Sequence, residues 1–235
     1  MTDFSPDLAL STSPRSDVVL RRELTRRDRD AMFALYTTYF ATGDRVTFER
    51  DLAEKEWVIL LRDEDGAIDG FSTLMRMQAG AATVFFSGDT IVDRRRWGTY
   101  DLPRLWGRHV FAVAGDNAYW FLISSGYRTY RYLPLFFRDF HPRFDADASM
   151  KPLLDRIATA KFGESYDPKS GVIRLATPAP LREGVSDPAT RLRDPHVRFF
   201  LEANPGHGDG DELACLVRIA ADNLTPAGLR MLGRR

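Results

Sequence analysis

Cysteine is nearly absent from this chain of 235 residues. Cys215 stands alone, which excludes an intrachain disulfide and a multi-cysteine metal site. It lies in the apolar run ELACLVRIA and reads as a small core residue. Net charge is absent as well, 33 basic residues balancing 33 acidic ones. That balance argues against nucleic acid as a partner, since such binders carry a basic excess or stripe. Lysine is scarce: Lys55, Lys151, Lys161 and Lys169 are the whole set, so arginine abundance by itself says nothing about function. No run approaches the roughly 20 apolar residues of a membrane span. Residues 1–17 lack the basic leader and long apolar stretch of a signal peptide and read as a disordered tail. A soluble, cytoplasmic chain is therefore expected. Neither a G-x-G-x-x-G fingerprint nor a G-x-x-x-x-G-K-[ST] loop occurs. No histidine pair has metal-ligand spacing, so no metal is expected, and no G-x-S-x-G elbow supports a serine hydrolase.

Periodicity gives the order of elements. A short strand over Val18–Glu23 precedes a helix through AMFALYTTYFA, capped by Thr25 or Asp28, with Met32, Leu35, Tyr36, Tyr39 and Phe40 at helical spacing. A second amphipathic segment covers Val46–Glu56. Three apolar runs follow, Trp57–Arg62, Ile68–Met77 and Ala82–Val92, joined by short turns, and predict an antiparallel meander. A helix over Asp101–Ala114 has Pro103 where the first turn tolerates it. Tyr119–Ser124 predicts a strand, Gly126–Phe137 a helix limited by Pro134, and Met150–Phe162 a further helix. Val172–Ala176 and Leu213–Ile219 are expected as the last strands, separated by a Pro/Gly-rich insertion with a helical piece around His196–Ala203.

The segment Phe85–Tyr100, FFSGDTIVDRRRWGTY, carries the most chemistry. An apolar strand ends in three arginines and a glycine just before a helix start. Freed amides, the helix dipole and arginine side chains then converge on one spot, which suits a phosphate. The plainer reading is a solvated basic turn. The element order and this turn together resemble the GCN5-related N-acetyltransferase (GNAT) superfamily, in which the fourth strand ends in R/Q-x-x-G-x-G/A and its amides bind the coenzyme A pyrophosphate. Arg95-Arg96-Trp97-Gly98-Thr99-Tyr100 stands at that place here.

The resemblance covers roughly residues 18–142 and implies an α+β fold with a mixed, mostly antiparallel twisted sheet flanked by helices. Residues 143–235 are expected as a C-terminal extension completing that sheet within a single compact domain. It further implies acyl transfer from an acyl thioester, acyl-coenzyme A or acyl-carrier protein, to a small-molecule amine or amino acid. Arg94, Arg95, Arg96, Gly98 and Thr99 are the implied donor-binding set. One departure is plain: Tyr100 replaces the final small residue of the motif. Either the loop is remodelled, or the donor is not free coenzyme A, or the fold serves as a binding or interaction module without the activity.

Acyl transfer to an amine needs a base, an oxyanion donor and an acid for the leaving thiolate. Asp89 is the candidate base, on a strand whose alternation would put Phe85, Ser87, Asp89 and Ile91 on one face; the other reading pairs it with a neighbouring arginine. Asp93 is expected to pair with the arginines. The resemblance points to a tyrosine after the fifth strand as the acid, with Tyr130 first and Tyr127 second, and core packing as the alternative. Ser124 and Ser125 are expected to cap the following helix rather than bind a ligand. Phe136, Phe137 and Phe140 form an apolar cluster suited to a core or to an acyl-chain pocket.

Overall fold

The computed structural model describes residues 16–146, 148–185 and 191–233. Most of the expected N-terminal tail lies outside the described residues. Its last two residues are in place: Asp17 opens β1 (Asp17–Leu20), and Ser16 Oγ accepts from the Arg62 amide at 2.9 Å.

Helix α1 (Arg26–Tyr39) starts where Thr25 and Asp28 bond each other's backbone amides, a reciprocal cap that satisfies two orphan donors. Asp44 caps α2 (Arg45–Ala53) in the same sense. These two helices bury Met32, Tyr36, Tyr39, Phe48 and Leu52 on one face of the sheet. The meander follows as β2 (Trp57–Arg62), β3 (Ile68–Ala79) and β4 (Ala82–Val92). After the basic turn come α3 (Asp101–Val113) and β5 (Ala118–Ser124), then two short helices, α4 (Tyr127–Tyr130) and α5 (Tyr132–Phe136), where one was expected. Arg131 is the break between them, and Pro134 sits inside the second. The chain continues through α6 (Lys151–Phe162), β6 (Tyr166–Asp167), β7 (Val172–Ile173), α7 (Pro195–Ala203), β8 (Glu212–Arg218) and α8 (Pro226–Met231).

The eight strands form one sheet in the order β1-β2-β3-β4-β5-β8-β7-β6. Every pair is antiparallel except β4 and β5. The fold is thus mixed α+β with a mostly antiparallel sheet. Alternation along β2 sorts Trp57, Ile59 and Leu61 to one face, where α3, α5, α7 and α8 pack, and Val58 and Leu60 to the other, where α1 and α2 pack. That second face also holds α6, over Phe86, Phe121 and Leu216. The C-terminal third is integral to the core, since Val197, Phe200, Cys215 and Val217 pack with Trp57 and Phe85.

One irregularity matters. Ser72 pairs with Thr90 but Leu74 pairs with Ser87, so Thr73 alone spans Gly88 and Asp89. This β-bulge reverses the alternation beyond it. Phe85 belongs to the core under α3, whereas Ile91 packs under α1 and α2. The single face expected for Phe85, Ser87, Asp89 and Ile91 is therefore corrected: Asp89 goes with Ile91, away from Phe85. Gly88 is required at the bulge, because a Cβ there would lie 2.7 Å from Thr73 Oγ1 and 2.8 Å from Lys55 Cε.

Candidate active site

The parallel pairing of β4 and β5 runs from Thr83–Ala118 to Ser87–Leu122 and then stops. Beyond it β4 is deflected by its bulge, and a cleft of about 890 Å³ opens at the end of the sheet. Its walls include Tyr36 of α1 and Phe40 just after it, Asp51 of α2 and Glu54 just after it, and Lys161 and Phe162 of α6. A narrower apolar space lies on the α3 face, between Leu102, Trp106, Trp120 and Phe137. The two spaces share Gly88, Thr90, Ile123, Tyr132 and Phe136, so they meet where the strands part. The route leads from one face of the sheet to the other.

Asp89 lies on the cleft floor, partly exposed. Among the described residues no hydrogen bond or ion pair reaches its carboxylate, so the pairing with a neighbouring arginine is not formed. Burial pushes its carboxyl up to about 7; repulsion from Asp51 and Glu212 adds to the shift, and attraction to Lys55 opposes it. Lys55 is committed elsewhere: its side chain is fully buried and its Nζ meets Asp51 Oδ1 at 2.6 Å.

Glu212 is a site residue that the sequence reading missed. It opens β8, faces the same side of the sheet as Asp89, and accepts a 2.6 Å hydrogen bond at Oε1 from Ser125 Oγ. Its Oε2 is buried without a partner. Burial pushes its carboxyl up to about 7, Ser125 opposing and Asp51 assisting. The visible trace in sequence is an acid opening an otherwise apolar strand. Ser125 thus orients Glu212 and does not cap α4, whose N-cap residue is Gly126, with no side-chain cap.

The tyrosines fall differently from expectation. Tyr130 is fully buried among Phe140, Phe199 and Phe200, and its hydroxyl donates to the Pro142 carbonyl at 2.8 Å. Tyr127 is buried in the same core. Neither lines the cleft. Tyr132 does, stacked against Phe136 with ring centroids 5.9 Å apart. The change follows from the break at Arg131, which turns the second short helix toward the parting strands. Phe136, Phe137 and Phe140 are buried in the core, with Phe136 edging the cleft.

The basic turn also divides. Arg96, Gly98 and Thr99 line the cleft; Arg94 and Arg95 do not. The Arg94 guanidinium donates to the Gly184 carbonyl at 3.0 Å, and Arg95 points outward, paired with Asp93 at 2.9 Å. Arg96 is consumed by structure, reaching Asp69 Oδ2 at 2.6 Å, Asp101 Oδ2 at 3.1 Å and the Arg62 carbonyl at 2.7 Å. Gly98 holds a φ of +90°, which permits the sharp turn into α3. Tyr100, 43% exposed, lies edge-on to Phe136 rather than plugging the turn. Among the unexpected cations on the cleft is Arg128 of α4, whose guanidinium lies 4.1 Å from the Trp97 ring; Arg50, Arg131, Lys161 and Arg191 line it too. Among the described residues no group of three or more histidine, cysteine or acidic side chains is arranged to hold a metal. No described helix is long and apolar enough to cross a membrane.

No protein-family model and no curated protein matches the chain. Solved structures similar to it include three acetyl-transferring proteins. An acetyltransferase of Trypanosoma brucei shares 17% identity at a TM-score of 0.41, covering 56% of this chain and 98% of its own. The N-acetylglutamate synthase of Neisseria gonorrhoeae, complexed with coenzyme A and N-acetyl-glutamate, shares 17% identity at 0.39, with 63% of this chain covered; the match spans only 33% of the synthase. An aminoglycoside 6'-N-acetyltransferase complexed with coenzyme A shares 13% identity at 0.42, over 86% of this chain and 97% of that one. The strand order, the parallel β4–β5 pair and the helix that leaves the basic turn between those two strands give the mixed, mostly antiparallel α+β fold that the resemblance implied.

Proposed function

We propose that this protein transfers an acyl group from an acyl thioester to an amine, with Asp89 as the base. The observation that carries this reading is the Asp89 carboxylate, unpartnered on a bulge at the floor of a cleft that opens between two parallel strands. An amine nitrogen bound beside Asp89 attacks the thioester carbonyl carbon. The N–C bond forms, the C–S bond breaks, the amine proton passes to Asp89, and the thiolate takes up a proton. A carboxyl raised to about 7 suits the first transfer, because a base works best with its pKa near the working pH. Tyr132, at the junction of the two spaces, is the candidate for protonating the thiolate in place of Tyr130.

The donor arm would lie along the parted strands toward α3. Its phosphate would meet the turn at Gly98 and Thr99 and the Arg128 guanidinium. Asp101 in the first turn of α3 and Pro103, which lacks an N–H, weaken that helix start as an anion site. Acyl-coenzyme A and acyl-carrier protein share the phosphopantetheine arm, and both remain within this reading. Thiol release from acetyl-coenzyme A in the presence of a primary amine tests it. Asp89→Asn should lower turnover by roughly a hundredfold or more while coenzyme A affinity is retained. Undiminished turnover would remove Asp89 from the reaction.

A further inference from the structure

Asp89 on β4 and Glu212 on β8 flank β5 and face the same side of the sheet. Two strand spacings, roughly 10 Å, are the least that separates them, since β4 and β5 part beyond Ser87. Among the described residues neither carboxylate forms a salt bridge, and Asp89 feels Lys55 only through a charge already paired with Asp51. The lysines beside the Phe86 ring, Lys55 and Lys161, are held by Asp51 at 2.6 Å and Glu54 at 3.1 Å. Ser125 fixes Glu212 through Oε1 and leaves the buried Oε2 with nothing to accept from. A buried carboxylate oxygen without a donor is costly, and a ligand ammonium would relieve that cost. Tyr36 and Phe40, stacked at 4.7 Å, give an aromatic wall along the same side of the cleft.

Resting on the acyl-transfer reading, we propose that the acceptor is a linear aliphatic dication, a diamine or polyamine, whose reacting nitrogen sits at Asp89 and gives up its extra proton to water before it attacks, and whose second ammonium is held by Glu212. A separation of that order calls for a chain of at least roughly four methylenes between nitrogens, each nitrogen lying within hydrogen-bond reach of its carboxylate. An amino-acid acceptor would bring its α-carboxylate toward Asp89 and Glu212, but Arg50, Arg128, Arg131 and Arg191 also line the cleft, so glutamate is the competing occupant to test.

Calorimetry without donor tests this with putrescine, butylamine and glutamate as probes. Putrescine should bind at least roughly tenfold tighter than butylamine, the gain expected from one added charge-assisted contact. Glu212→Gln should abolish that ratio while butylamine affinity stays within about twofold. Ser125→Ala, which removes only the hinge of Glu212, should lower the ratio by a smaller factor and covers the case in which Glu212→Gln does not fold. A putrescine-to-butylamine ratio near one, a ratio insensitive to both variants, or preferential binding of glutamate would overturn the proposal. Coenzyme A binding, followed separately by thermal shift, keeps the two ideas apart. Donor binding without dication preference sinks the acceptor assignment alone. Dication preference without any thioester turnover sinks the acyl-transfer reading and leaves the dication site standing.

Discussion

The Arg128 guanidinium lies 4.1 Å from the centroid of the Trp97 indole, and Arg94 sits 5.4 Å from the same ring. Trp97 is therefore in reach of a cation on α4 and of one on the basic turn. Only Arg128 of these two faces the cleft. Arg128→Ala should weaken coenzyme A binding by about 1.5–3 kcal/mol, the worth of a charge-assisted hydrogen bond. Arg95→Ala should leave it unchanged, since Arg95 is 72% exposed and turned outward to Asp93. Calorimetric titration of both variants checks this, and a loss confined to Arg95→Ala would place the phosphate on the outer side of the turn.

Arg96 is the structural member of the triplet. Asp69, with 6% of its side chain exposed, depends on it for charge compensation. Removing one partner of a buried pair strands the other, at about 3–5 kcal/mol for full burial. With Arg96 itself 22% exposed, Arg96→Ala should cost about 2–4 kcal/mol in urea unfolding. Gly98→Val should also destabilise, through its φ of +90° and not through a clash, since no atom lies within 4 Å of a Cβ built there.

The tyrosines separate packing from chemistry. Tyr130→Phe deletes a buried hydroxyl that donates to Pro142 and should cost about 1–2 kcal/mol of stability without changing turnover. Tyr132→Phe should reduce turnover roughly tenfold or more while coenzyme A affinity is retained, because the hydroxyl is needed mainly in the transition state. If both variants turn over like the wild type, the thiolate takes its proton from water.

The meander, the basic turn and α3 were legible in the chain because local patterns determine them: alternation in β2, turn residues between strands, and Pro103 in the first helical turn. The bulge was not. It is fixed by what Thr73 on the neighbouring strand pairs with, so alternation read along β4 alone put Asp89 on the wrong face. Glu212 was hidden for a similar reason, since β8 inserts beside β5 after a long excursion and sequence distance conceals that Ser125 is its partner. Tyr132 displaced Tyr130 because a break at Arg131 replaced one helix by two, and helical spacing counted across that break fails.

The paired carboxyls give the last prediction its sign. Asp89 rises from 3.8 and Glu212 from 4.5, each to about 7. Between about pH 4 and 7 the folded protein then binds more protons than the unfolded chain, so stability must fall as pH rises through that window. Their contribution is complete below pH 4 and is lost above pH 7. Asp89→Asn and Glu212→Gln, which cannot ionise, should each flatten the decline, as urea unfolding at pH 5 and pH 8 would register. Catalysis runs the other way, since the base must be ionised, and turnover should climb as pH passes through about 7. Repulsion from Glu212 contributes to the raised Asp89 value, behind burial and Asp51. Glu212→Gln should therefore shift the acid limb of the pH–rate profile to lower pH, measured with a monoamine acceptor so that binding of a second ammonium plays no part. An acid limb that stays in place would mean that Glu212 carries no charge when Asp89 gives up its proton, and one that moves upward would mean that Glu212 stabilises the Asp89 carboxylate rather than repelling it.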